Sequence, residues 1–343
     1  MKRELPNPLQ NYSILVADAD QQLAGVLKMM LENMGFPNVE MTRSGADARD
    51  LLQQKLFDFL ITEWNIHHLD GLALITQIRR GVVSPNPTLP IIMLTGRAER
   101  ADVAMARDTG INEYVVKPFS AKTIYDRLER LIEKPRYFVA APSFVGPDRR
   151  YKSTPPPGVS NRRTLTITPQ PHSPKEAAGN LIGDTPKLWT PDFSLKQKLG
   201  ESQSLQALIT PAVLKEAQAS IDANTAYSLQ WVKKDLAEMK ALHQKMVEGK
   251  TTGNAANDIS EVALAINSRA GTFGYGRAAE VAYKLYLFCR NRLQPNNRAH
   301  HTIVQKHIEV LQVILSNNMR GMGGREGAQI AMELHNLVLK YAS

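Results

Sequence analysis

Five polar side chains in this sequence follow short apolar runs, and together their types define a chemistry. Glu63 closes Phe59-Leu60-Ile61-Thr62, Asp18 and Asp20 follow Ile14-Leu15-Val16-Ala17, Thr95 ends Ile91-Ile92-Met93-Leu94, and Lys117 follows Tyr114-Val115-Val116. A few apolar residues with a polar residue at the carboxyl tip describe a buried parallel strand. In an open α/β sheet that edge is where ligands collect. Carboxylates gathered there can hold a divalent cation such as magnesium. A hydroxyl and an ammonium facing them can bind the oxygens of a phosphoryl group.

The elements that must position these groups alternate. Strands are expected at 13–17, 39–42, 58–63, 90–95 and 114–116. Amphipathic helices follow each of them. The first carries Leu23, Val26, Leu27, Met30, Leu31 and Met34 and stops at Gly35. Ser44 caps the second; the others span 71–80, 98–109 and 120–133. Five strands and five helices joined by short loops predict a doubly wound parallel sheet with helices on both faces.

The motifs ILVADAD, WN and DG around the third strand, IIMLTG and YVVKPF occur in this order. With them, residues from about Tyr12 to Glu133 resemble the receiver domain of two-component response regulators. The resemblance implies the sheet order 2-1-3-4-5. It also implies that the position of Glu63 is that of an aspartate phosphorylated from a phospho-histidine. Thr95 and Lys117 then match the phosphoryl-binding pair, Tyr114 matches an aromatic that changes rotamer in the active state, and Lys117-Pro118 matches a bond that is usually cis. Trp64 would be a partly exposed surface residue.

Two positions depart from that pattern. The acceptor place holds Glu63. The acid pair reads Asp18-Ala19, leaving Asp18 and Asp20 for at most weak magnesium binding, and no other cofactor is expected. The extra methylene of glutamate moves the nucleophile by about an ångström, and in-line transfer tolerates little misplacement. A longer carboxylate could instead reach Thr95 and Lys117 and imitate the charge of a phospho-aspartate. The alternative is that Glu63 is inert and Lys117 only neutralises the remaining acids. His67 and His68 are expected to be solvated.

Bulk properties narrow the class. The 343 residues suggest about two domains. No run of eighteen apolar residues suggests a membrane span, and the N-terminus lacks an apolar leader segment. The single cysteine, Cys289, excludes an internal disulfide and suits a reducing cytoplasm. Of the net charge of +9, little lies in residues 1–134, with 16 basic and 17 acidic side chains; residues 135–203 carry 10 and 5. That second stretch, with Pro155-Pro156-Pro157-Gly158, is expected to be a basic, proline-rich linker. Tyr137, Phe144, Arg149 and Arg150 could dock on a folded domain, as could Leu188 to Phe193.

Residues 204–343 are expected to form an antiparallel helical bundle. Thr210-Pro211 begins it as an N-cap with proline in the first turn. Glycines interrupt it at 271–274 and 321–324. The segment from Leu264 to Gly274 resembles the signature of histidine-containing phosphotransfer domains: a phospho-histidine, a lysine three residues later and a glycine ten after the histidine. Gly274 keeps the last position, but Leu264 and Asn267 replace the histidine and lysine. Leucine is not a nucleophile, so such a domain cannot carry phosphate there. An ordinary bundle with a glycine bend is the alternative.

The expectation is a non-enzymatic signalling adaptor: a pseudo-receiver, a linker and a degenerate phosphotransfer module. Its partners would be histidine kinases, phosphotransfer proteins or other receivers, and the family's pairing face allows a homodimer. One alternative is a phosphoacceptor response regulator with a helical output domain. Another is nucleic-acid binding through the basic linker; the absence of a helix-turn-helix pattern speaks against it.

Overall fold

The computed structural model describes residues 7–84, 86–149, 166–168, 187–189, 194–200, 202–223, 225–250 and 255–341. It divides into two compact units. One consists of Met1–Val115 and Ala121–Ser220, the other of Val116–Ser120 and Ile221–Ser343.

The first unit is built on β1 (Ser13–Ala17), α1 (Gln21–Asn33), β2 (Asn38–Thr42), α2 (Gly45–Gln54), β3 (Phe59–Thr62), α3 (Gly71–Arg79), β4 (Ile91–Thr95), α4 (Arg100–Thr109), β5 (Glu113–Val116) and α5 (Ala121–Glu133). The strands lie in the order β2-β1-β3-β4-β5, as the resemblance implied. All residues of β3 and β4 are buried, which is why their sequences read as unbroken apolar runs. Short polar side chains start the helices. Asp20 caps α1, Ser44 caps α2 and Asp70 caps α3, each accepting from main-chain N–H groups of the first turn. Gly35 follows α1 at φ +100°, a conformation that favours glycine.

The stretch expected to be a linker contains ordered structure. Strands β6 (Phe138–Ala141), β7 (Phe144–Pro147), β8 (Thr166–Thr168) and β9 (Lys187–Trp189) form a second sheet in the order β7-β6-β9-β8. Each has only three or four residues, too few to show an alternation in sequence. Phe138 stands opposite Trp189 in the register, and both are buried. Anchoring by Trp189 was expected; anchoring by Phe138 was not, and the neighbouring Tyr137 stays exposed. Phe144 carries the Arg149 guanidinium over its ring at 4.1 Å, and Arg149 pairs with Asp108 at 2.9 Å. Helix α6 (Ser194–Leu199) then ties back to the first sheet. The Tyr12 hydroxyl donates to the Leu195 carbonyl at 2.6 Å, and Lys198 meets Asp58 at 2.6 Å. Pro155 to Gly158, Arg150 and Pro191 to Phe193 lie outside the described residues.

Helices α7 (Leu205–Leu208) and α8 (Pro211–Ala223) follow. Thr210 caps α8 by accepting from the Val213 N–H at 3.4 Å. The second unit contains α9 (Thr225–Val247), α10 (Ala255–Thr272), α11 (Gly276–Asn291), α12 (Arg298–Ser316) and α13 (Gly324–Tyr341). Helix α9 packs on α10, α10 on α11, α11 on α12 and α12 on α9. That closed ring is a four-helix arrangement with α13 added against α11 and α12. Helix α12 starts at Arg298, where Asn297 caps it by accepting from the Ala299 N–H at 2.9 Å. The two glycine-rich stretches are one structural feature. The Gly321 N–H donates to the Gly274 carbonyl at 2.7 Å, and the Arg277 N–H to the Gly321 carbonyl at 2.8 Å. Gly274 sits at φ +83° in this staple.

His307 lies in the bundle core, its Nδ1 at 2.8 Å from the Ile303 carbonyl. Burial pushes its pKa down to about 4. The unfolded chain, with an imidazole near 6.5, therefore takes up a proton first. His307 favours the folded bundle fully above pH ~6.5, and that contribution is lost as the pH falls towards 4, roughly 3 kcal/mol in all. Amide-exchange protection of residues 298–316 should decline over this window, and His307→Gln should flatten the decline; an equal slope in the variant would contradict this assignment.

Candidate functional site

The site grows from the parallel register of β1 and β3. Ala17 stands opposite Thr62, and the Glu63 N–H donates to the Ala17 carbonyl at 2.8 Å. The next residues on the two strands, Asp18 and Glu63, therefore emerge side by side at the carboxyl edge. β4 pairs with β3 on the other side and brings Thr95 to the same edge. Lys117 directly follows β5. Asp18, Thr95 and Lys117 are buried, and Glu63 is half-buried. The Lys117-Pro118 bond is cis, as the resemblance implied.

The carboxylates are engaged by main-chain amides. Glu63 Oε1 accepts from the Trp64 N–H at 2.6 Å. Asp18 Oδ1 accepts from the Asp20 N–H at 2.8 Å. Asp20 Oδ1 accepts from the N–H groups of Gln22 and Leu23, both at 3.1 Å, as the cap of α1. Asp20 thus serves its own helix and does not replace the carboxylate missing at Ala19. Magnesium demands near-octahedral oxygen coordination. Among the described residues no three His, Cys, Asp or Glu side chains come together to hold a metal ion. Asp18 and Asp20, the two acids expected to bind the ion weakly, are both already held by main-chain N–H groups.

The segment after Glu63 is closely built. The Gly71 N–H donates to the Trp64 carbonyl at 2.8 Å, and a Cβ on Gly71 would lie 2.3 Å from the Glu63 carbonyl oxygen. Gly45 meets the same loop, where a Cβ would lie 1.9 Å from the Leu69 carbonyl. Both glycines are required by close approach of backbone to backbone. His67 and His68 are exposed, as expected.

Trp64 departs from expectation. Its side chain is buried in the core cluster with Leu60, Ile66 and Leu74. The Arg97 guanidinium lies over its ring at 5.1 Å and donates through Nη2 to Asn65 Oδ1 at 3.1 Å. The Arg97 N–H meets Thr95 Oγ1 at 3.4 Å, and the Arg97 carbonyl accepts from the Tyr114 hydroxyl at 2.8 Å. Thr95, Tyr114 and Trp64 are thus connected through Arg97, a residue that sequence reasoning had not singled out. Its only signal was a cation two positions after Thr95, across from an aromatic one position after Glu63.

In the bundle, Leu264 and Asn267 are buried. Asn267 Nδ2 donates to the Ala279 carbonyl at 3.0 Å and so clamps α10 to α11. These positions and Gly274 belong to the structural fabric of the helices.

Comparison with known proteins agrees with the receiver architecture. The response regulator receiver domain model matches residues 14–129. The chain belongs to this family. Chemotaxis protein CheY-3 of Vibrio cholerae is 32% identical over 125 residues, covering 36% of this chain and 95% of that protein. Chemotaxis protein CheY of Pseudomonas aeruginosa is 32% identical over 121 residues, covering 35% and 96%. Among solved structures, the receiver domain of a sensor histidine kinase from Pseudomonas aeruginosa PAO1, with magnesium coordinated in its active-site cleft, is 26% identical. It covers 35% of this chain and 95% of its own, with a TM-score of 0.32. No described helix is long and apolar enough to cross a membrane.

Proposed function

We propose that this chain is a non-enzymatic adaptor of two-component signalling, in which a pseudo-receiver works by binding rather than by accepting phosphate. The carrying observation is Glu63: it occupies the acceptor place with its carboxylate turned onto the Trp64 N–H, beside Ala19 where a second metal-binding acid would be needed. In-line phosphoryl transfer depends on positioning and charge neutralisation, and both are compromised. Thr95 and Lys117 remain buried, and a glutamate in the acceptor place is a carboxylate that needs no phosphorylation to be present. The bundle extends the same logic. As a phosphotransfer-like module with Leu264 and Asn267, it offers a shape without a phosphoryl carrier. Histidine kinases, phosphotransfer proteins and other receivers are the partners this architecture would address, in a reducing cytoplasm that suits the lone, buried Cys289.

The competing reading, a working phosphoacceptor, draws support from the buried Thr95 and Lys117. Acetyl phosphate with Mg²⁺ separates the two. The intact mass of the full chain should be unchanged after incubation; a hydroxylamine-labile phosphoryl adduct at Glu63 would overturn the adaptor reading.

A further inference from the structure

We propose that Arg97 is a positioning residue that latches the signalling face in one state without phosphorylation. The inference rests on the adaptor reading and specifies how the state of that site is set. Arg97 reaches three parts of the fold at once. Its guanidinium covers Trp64 at 5.1 Å and bonds to Asn65, both in the segment after β3. Its main chain meets Thr95 Oγ1 at the tip of β4 through the N–H, and the Tyr114 hydroxyl on β5 through the carbonyl.

The chemistry suits a permanent fixture. A guanidinium is planar and stacks on aromatic faces. Trp64 is held rigidly, since its side chain belongs to the core cluster. Tyr114 packs against the same cluster. The loop after β4 is therefore anchored to the core by a side chain that needs no incoming ligand. In a two-state loop, contacts made in only one state decide the populations. Here the contacts of Arg97 take that role, and the Tyr114 hydroxyl is held inward on the Arg97 carbonyl.

Relaxation-dispersion measurements on the full chain, without any phosphodonor, test this directly. Wild-type amides of Thr95, Arg97 and Tyr114 should show a single state. Arg97→Ala should raise a second loop state by roughly 10- to 100-fold, with exchange confined to these residues and the segment 64–66. Arg97→Lys keeps the charge but loses the planar stack and fork, and should fall between. Trp64→Phe preserves an aromatic core residue while weakening the cation–π contact, and should shift the same amides if Arg97→Ala does not fold. Unchanged exchange in the folded variants would overturn the latch, as would broadening spread evenly over the sheet. Phosphoryl acceptance by wild type alongside localised exchange in Arg97→Ala would sink the adaptor reading and leave the latch standing.

Discussion

Replacing Arg79 with methionine should cost the receiver unit roughly 3–5 kcal/mol, a large part of the stability of an ordinary domain. Arg79 is buried, and four of its five N–H donors are engaged. Nε donates to the Gly110 carbonyl at 2.8 Å, Nη1 to the carbonyls of Pro87 and Leu89 at 2.9 and 2.8 Å, and Nη2 to Asn112 Oδ1 at 2.9 Å. The guanidinium also lies over the Phe138 ring at 5.1 Å. Burial lowers its pKa to about 9, so it remains a cation at neutral pH. Methionine fills much of the volume but strands these acceptors away from water, where each uncompensated group costs about 1–3 kcal/mol. The loss should appear in urea unfolding followed by amide exchange of β4 and α3. Because Phe138 lies on β6, protection of the 138–147 hairpin should fall with it. A variant within about 0.5 kcal/mol of wild type would show that the acceptors find other partners.

The second large effect is a gain. Ala19→Asp with Glu63→Asp should restore a metal-binding acid pair and a nucleophile of the right length. Asp20 can keep its role as the α1 cap in this variant. Modification by acetyl phosphate with Mg²⁺ should rise on the order of 100-fold over wild type, a change of the size that correcting an ångström of misplacement brings. Glu63→Asp alone should recover little, because the carboxylate at position 19 is still missing. Intact-mass kinetics of the three chains measure this. Equal rates in wild type and the double variant would mean that these two positions are not what silences the site.

The receiver sheet was legible because its physics is local. Buried strands read as apolar runs, the cap of α2 as Ser44, and chemistry as polar residues at strand tips; the caps at Asp20 and Asp70 emerged only in the structure. The replaced residues, Ala19 and Glu63, could be read off directly. What escaped depends on contacts between residues far apart in sequence. Arg79 lies within the helix whose apolar face was recognised, and nothing in its neighbourhood shows that three carbonyls wait for it. Arg97 needs Trp64, and the two are brought together only when β3 and β4 pair. The strands after residue 135 are too short for periodicity, so only the aromatic residues and the arginine pair Arg149-Arg150 hinted at docking. The separate glycine stretches of the bundle join only in three dimensions, through Gly274 and Gly321.

The most direct test of a receiver that signals without phosphate is the amide spectrum of the full wild-type chain with Mg²⁺ and beryllofluoride. No saturable shift is expected at Thr95, Arg97 or Tyr114 if, as proposed, Glu63 stands in for the ligand. Saturable shifts confined to those amides and Lys117 would contradict it.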